Sequence, residues 1–339
     1  MALRVAPGFY PEDITITRDT QIFGLPDPVD LFAQVFIQGS VRNTGPRLLE
    51  VQDVFLIWER EERAVGVFVD NPCAVTRMRN VVVRGFRGFG IRQRGGSLSL
   101  VNVRVSSTKA NPEPLVEGTG ILLSCGTRAN MSDVTLDFNE TSGLSISGMG
   151  TEVHALNLVV GGTRVHPIFR DLDTEEILPW GGVYVNDGAH LEVHGFRFEA
   201  NVVYGVRVEN HGTAFLEFGT VAGTQGLNEF FHDEDRQFVG GHNVAVYASA
   251  YVRMEHVICT RAYLCGILIA RDGEMDYLGR SLSATGSTSE VSHNATGVCL
   301  QVAGYDIRRL QNGVLYRDNG TTLEATSFPV PAPASLEGP

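Results

Sequence analysis

The 339-residue sequence predicts an all-β chain folded as a right-handed, single-stranded parallel β-helix. Three observations carry that expectation. A glycine-led strand marker recurs along most of the chain. A second track, apolar-x-apolar around an Asn or Asp turn, runs beside it. Helical spacing of apolar residues at i, i+3 and i+4 is sustained nowhere.

The first track reads Gly66-Val67, Gly90-Ile91, Gly120-Ile121, Gly143-Leu144, Gly182-Val183, Gly205-Val206, Asn243-Val244, Gly266-Ile267 and Gly297-Val298. Its spacings are 24, 30, 23, 39, 23, 38, 23 and 31 residues, so a basic unit of about 23 is lengthened on alternate repeats. The second track places turn residues at Asp53, Asn80, Asn102, Asp133, Asn157, Gly195, Thr220 and His256. Asn and Asp tolerate left-handed backbone and bond nearby main chain, so a column of them can link neighbours above and below. Three short period-2 strands per unit bury no face alone but do so when units stack, each strand pairing in parallel with its equivalent at ~4.8 Å. About ten coils of about 23 residues follow, and the crossover rule makes them right-handed. Leu100 and Val193 are assigned inward positions in this register.

Residues 1–30 are irregular and Pro-rich, which predicts an N-terminal cap; 31–316 form the β-helix domain, and 317–339 a C-terminal tail with a Pro/Ala-rich linker at Phe328–Ser335. The expected insertions are Lys109–Gly118, Gly161–Gly182, Ala222–Gly241 and Asp272–Gly286.

Net charge is −12, which disfavours nucleic acid as a partner because phosphate selects basic stripes. No apolar run approaches the ~18 residues of a membrane span. The opening MALRVAPGFYPED lacks the apolar core of a signal peptide. Either the protein is intracellular or this sequence is cut from a longer precursor. The Pro/Ala spacer favours the second, hence a piece of a multidomain secreted or cell-surface chain. The five cysteines (Cys73, Cys125, Cys259, Cys265, Cys299) have no metal spacing. Cys259 and Cys265 are close enough to pair across a turn, while buried thiols acting as small hydrophobes are the commoner arrangement.

The Gly-Val and turn tracks, as in Gly182-Val183-Tyr184-Val185 through Leu191-Glu192-Val193-His194, resemble the right-handed β-helix repeats of the pectin-lyase-like superfamily, from about Ile14 to about Leu315. They are most similar to the repeat arrays of bacterial secreted and cell-surface proteins without assigned activity. Enzymes of that superfamily imply Ca²⁺-binding aspartates with a basic residue, or Asp-Asp, Ser-His-Gly and Arg-Ile-Lys signatures. Here the nearest match is Asn210-His211-Gly212, and Lys109 is the only lysine.

Loops on a rigid scaffold carry function, so the insertions are where to look. Phe169/Asp171/Asp173 matches Phe231/Asp233/Asp235, and each segment closes on Gly-Gly. Two coils apart, the two loops would lie ~10 Å from one another on one side. Asp171, Asp173, Glu175, Asp233 and Asp235 are the candidate ligands for Ca²⁺, which takes six to eight oxygens, although a solvated acidic loop is the commoner fate of such a run. Asp171, Asp173, His232, Asp233 and Asp235 are the catalytic candidates. Arg170, Trp180, Phe231, Arg236, His190 and His194 are the ligand-binding candidates; His190 and His194, four apart on a strand, share a face.

Three functions are therefore expected in this order. The first is a non-enzymatic secreted or cell-surface module binding a glycan or protein partner through loops 161–182 and 222–241. The second is a polysaccharide lyase or glycoside hydrolase of the same fold. The third is a structural spacer.

Overall fold

The computed structural model describes residues 1–25, 34–58, 62, 64–110, 118–164, 181–226, 240–279 and 289–325. The chain winds as a right-handed parallel β-helix. Its strands fall into two sheets, a broad one of fifteen strands and a narrow one of twelve, and every strand pairing in both is parallel. Among the described residues the narrow sheet therefore marks twelve coils.

A typical coil pairs a ten-residue strand of the broad sheet with a shorter strand of the narrow sheet. These run β7 (Leu48–Ile57) and β8 (Ala64–Asp70), β9 (Val75–Arg84) and β10 (Gly88–Arg94), β11 (Ser97–Ser106) and β12 (Thr119–Ser124), β13 (Arg128–Asp137) and β14 (Ser142–Ser147). They continue as β15 (Glu152–Gly161) and β16 (Gly181–Asn186), β17 (His190–Glu199) and β18 (Tyr204–Val208), β19 (Thr213–Ala222) and β20 (His242–Val246), β21 (Tyr251–Thr260) and β22 (Cys265–Ala270). Each ten-residue strand bends at its sixth residue, so a coil has three sides. Leu100 and Val193 are both fully buried inside the prism, as their register requires.

The bend is the turn column of the sequence. Asp53, Asn80, Asn102, Asp133 and Asn157 all have φ between 52° and 57°. Their side chains form a ladder: Asn80 Nδ2 donates to Asp53 Oδ1 (2.8 Å), Asn102 Nδ2 to Asn80 Oδ1 (2.9 Å) and Asn157 Nδ2 to Asp133 Oδ1 (3.0 Å). The column then passes through Gly195 to Phe218 and His256. Phe218, at φ 55°, stands where Thr220 was expected. Its ring lies between His194 (4.9 Å) and His256 (4.7 Å), so stacking replaces the amide bonds.

The glycine column has a steric cause. A Cβ on Gly90 would come within 2.7 Å of the Gly120 carbonyl oxygen and 2.3 Å of Val105 Cγ1, and one on Gly182 within 2.6 Å of the Gly205 oxygen. One residue on, the markers stack as an aliphatic column, Ile91 on Ile121 on Leu144 on Val183 on Val206. A second polar column escaped the sequence reading. Asn139, Asn201, Asn243 and Asn294 are buried at another corner, where their amides reach main-chain carbonyls such as Val160 O and Thr260 O.

Composition misplaced both ends of the helix. Residues 1–25 are not an irregular cap: β1 (Ala2–Val5), β2 (Gly8–Tyr10), β3 (Ile14–Thr15) and β4 (Thr20–Gly24) are rungs in the same parallel register, and 26–30 lie outside the described residues. Pro7 and Pro11 sit between strands, where no ladder bond is lost. Past residue 317, β27 (Thr321–Ala325) pairs with β25 (Thr296–Gln301). The two extra rungs raise the count from ten to twelve. The last insertion also moves: Glu274–Leu278 forms β23, and the gap in the rung runs from Gly279 to Ser289, opening at the bend. The disulfide joins Cys265 to Cys299 on neighbouring coils, not Cys259 to Cys265. Cys259 is a buried free thiol whose burial pushes its pKa up to about 12, which makes it unreactive.

Candidate binding face

His190 and His194 point outward from the first half of the broad sheet, before the bend, with Leu191 and Val193 buried between them. Parallel register stacks their neighbours into columns. One column passes from His154 on β15 through Glu192 on β17 to Phe215 on β19 and Arg253 on β21. The next holds Leu156, His194, Glu217 and Glu255, and a third holds Glu152, His190, Thr213 and Tyr251.

Rings in these columns meet edge to face. The His190 and Phe215 centroids are 5.0 Å apart, those of Phe215 and Tyr251 6.1 Å. The polar tips are held as well. His154 Nδ1 lies 3.0 Å from Glu192 Oε2, His194 Nδ1 lies 3.5 Å from Glu217 Oε2, and His190 Nδ1 lies 2.7 Å from Thr213 Oγ1. Partial burial, helped by the neighbouring His154, holds His190 below the ordinary imidazole value. Burial and a 2.7 Å bond to Asp276 push Tyr251 up to about 12, so its phenol stays neutral. Beside this strip the outward residues shrink to Ser99, Val101, Asn130 and Ser132. The step leaves a shallow trough of about 290 Å³ ending against His154, Leu156, Glu192 and His194.

Arg170, Asp171, Asp173, Glu175, Trp180, Phe231, His232, Asp233, Asp235 and Arg236 lie outside the described residues. Their chain segments leave from Gly161 and Ala222, which pair with Glu199 at the far end of β17. His190 and His194 are thus not beside the roots of those loops; the bend of β17 separates them. Among the described residues no cluster of three or more His, Cys, Asp or Glu is arranged to hold a metal.

Between those loop roots, on the outward face of the narrow sheet, lies a group the sequence reading passed over. Arg207 and Glu209 form an ion pair whose side chains are only 8% and 4% exposed. Arg207 Nε donates to Glu209 Oε2 at 2.9 Å, and Nη2 donates to the same oxygen at 2.5 Å. The Tyr184 hydroxyl donates to the other carboxylate oxygen. Tyr184, Tyr204 and Tyr247 present their rings to the guanidinium at 5.1–5.6 Å. Burial, with Glu209 close by, pushes the Tyr184 phenol well up. His242 stacks on Tyr204, and burial drives its pKa down to about 3, so it is neutral. The signal was present in the coil alignment: Tyr184 and Arg207 each follow a Gly-Val marker and therefore pair directly. Arg207, Glu209 and Tyr184 satisfy one another, an arrangement that suits structure better than catalysis, whereas His242 Nδ1 is buried with no hydrogen-bond partner among the described residues.

No known protein family and no curated protein matches the chain. Among solved structures it is similar to a pectate lyase, Pel9A, at 10% identity and a TM-score of 0.48, over 99% of this chain and 73% of that one. It is also similar to the A-module of the mannuronan C-5 epimerase AlgE4 of Azotobacter vinelandii, at 12% identity and a TM-score of 0.44, over 96% and 87%. At these identities the likeness concerns the parallel β-helix fold.

Proposed function

We propose that the chain is a non-enzymatic binding module of a secreted or cell-surface protein, and that it takes a glycan on the open face of the broad sheet. The observation that carries this reading is the strip of Phe215, Tyr251, His190, His194 and Phe218 beside a trough lined by the short side chains of Ser99, Val101, Asn130 and Ser132. Sugar rings pair apolar faces with hydroxyl rims. A rigid sheet offering aromatic surface flanked by carboxylates and imidazoles matches both at little entropic cost. The carboxylates nearest the rings, Glu192 and Glu217, are each held by a histidine, which favours hydrogen bonding to hydroxyls over proton transfer. The Cys265–Cys299 disulfide suits an oxidising compartment.

The test is a glycan array followed by titration calorimetry on the best ligand. Phe215→Ala should weaken binding about tenfold, near 1.4 kcal/mol, with the melting temperature nearly unchanged. An unchanged Kd in that variant, with binding lost on deletion of loops 161–182 and 222–241, would move the site to the loops. Release of shortened or unsaturated products from a polysaccharide would make the chain an enzyme.

A further inference from the structure

The strand halves that carry the aromatic strip form a stepped surface with a low and a high side. On the low side stand β9, β11 and β13, whose outward residues before the bend are Arg77 and Arg79, Ser99 and Val101, and Asn130 and Ser132. On the high side stand β15, β17 and β19, with His154 and Leu156, Glu192 and His194, and Phe215 and Glu217. The trough lies along the low side and ends at the step. Residues 111–117, 165–180 and 227–239, which lie outside the described residues, follow the far ends of β11, β15 and β19, past the bend.

Charge divides at the same step. Residues 64–130 hold nine basic and three acidic side chains, whereas 131–339 hold twelve and twenty-six, so the two sides have opposite sign. Arg77 and Arg79 are exposed on one face of β9 and make no ion pair among the described residues. Across the step, histidines contact Glu192 and Glu217 through Oε2 alone, and no arginine among the described residues compensates either carboxylate.

We propose that this face is the interface of a twofold dimer of the chain. A twofold axis along the step, parallel to the strands, sets the high side of each copy into the trough of the other. It lays β9 on the partner's β19, β11 on β17 and β13 on β15, column on column. Arg79 then meets the partner's Glu217, Arg77 lies over the ring of the partner's Phe215, and Ser99 reaches the partner's Glu192. Each contact occurs twice, because a twofold interface uses one patch on both copies. Ion pair and cation–π contact both favour this pairing over any that sets like sides together. A second copy is the occupant because the two sides of one chain match each other in height and in sign. The face is six strands wide, ~29 Å, and five residues deep, ~17 Å. Two copies would bury ~1,000 Å², the lower bound for a specific interface, which makes the dimer reversible. The dimer covers Phe215 and His194, so a glycan and the partner copy exclude one another on the strip.

Sedimentation velocity of the full chain without ligand, from about 1 to about 100 μM, tests the assignment. The dimer fraction should rise with concentration and fall in ~0.5 M NaCl, which screens the charge match. Arg79→Glu and Glu217→Arg should each raise the dissociation constant about tenfold or more, since each sets like charges together at two places. The double variant should return it to within about threefold of the parent, because the swap restores the pair with its sign reversed. Asn130→Trp, which fills the trough and leaves every charge in place, should also dissociate the dimer. All these side chains face outward, so far-UV circular dichroism should not change. A chain that stays monomeric throughout, a dimer indifferent to Arg79→Glu or to Asn130→Trp, or a double variant no tighter than the single ones would overturn the assignment. None of these readouts involves a glycan, so the dimer and the glycan site stand or fall separately.

Discussion

The same few coils, β15 to β21, present two outward faces built from similar residue types with opposite fates. On the broad sheet, Phe215, Tyr251, Arg253, Glu192 and three histidines stand in or near solvent. On the narrow sheet, Tyr184, Tyr204, Tyr247, Arg207, Glu209 and His242 are sealed. Aromatic rings, a cation and a carboxylate make a recognition surface when open, because each still has hydrogen-bonding capacity to offer. Sealed, Arg207, Glu209 and Tyr184 spend their capacity on one another and become part of the framework. Composition does not distinguish the two; burial does.

The comparison breaks most sharply at Arg207. Arg207→Met leaves Glu209 buried without its cation and should cost about 3–5 kcal/mol in denaturant unfolding. Arg253 is exposed and, among the described residues, pairs with Glu255 on its own strand, so Arg253→Met should cost under about 1 kcal/mol. A comparably small cost at Arg207 would show that the narrow-sheet face is open after all.

The histidines give the next largest contrast. His242 has a folded pKa of about 3 against an ordinary value near 6.5, so the unfolded chain binds a proton that the folded chain refuses. Its contribution is complete above pH ~6.5 and is lost as pH falls toward 3. Relative to the parent, His242→Phe should retain about 2 kcal/mol more of its stability on going from pH 6 to 4.5. His190, only partly buried, is shifted the same way, and His190→Phe should change the acid limb less than His242→Phe does. Parallel acid limbs for parent and His242→Phe would remove His242 as the source.

The smallest effect tests the bend. Phe218→Ala removes the rings' contact with His194 and His256 and should cost about 1 kcal/mol by thermal melting. Asn157→Ala, which loses one exposed amide bond to Asp133 and an Asn preference for positive φ, should cost a similar amount. Stacking and amide bonding would then be interchangeable ways of holding one backbone position.

Legibility followed the same division. Asn80, Asn102 and Asn157 were readable because an amide ladder demands particular residue types at positive φ. Phe218 was not, since a ring in that conformation is supported by partners 24 residues before and 38 residues after it in the chain. His190 and His194 were rightly placed on one face by strand parity. The bend within β17 separates them from Glu199, beside which Gly161 and Ala222 lie, and strand parity carries no information on that bend.

By itself the sequence determined the coil, its parallel stacking, its glycine and Asn columns and which side chains enter the prism. These follow from a period-2 pattern and from steric rules that act within one repeat. Only the tertiary structure decided that Tyr184, Arg207 and Glu209 are sealed while Phe215 and His194 are open, and that Cys265 meets Cys299. Pointing outward is a local property of a strand. What an outward side chain then meets depends on coils and segments tens of residues away, and no repeat encodes that.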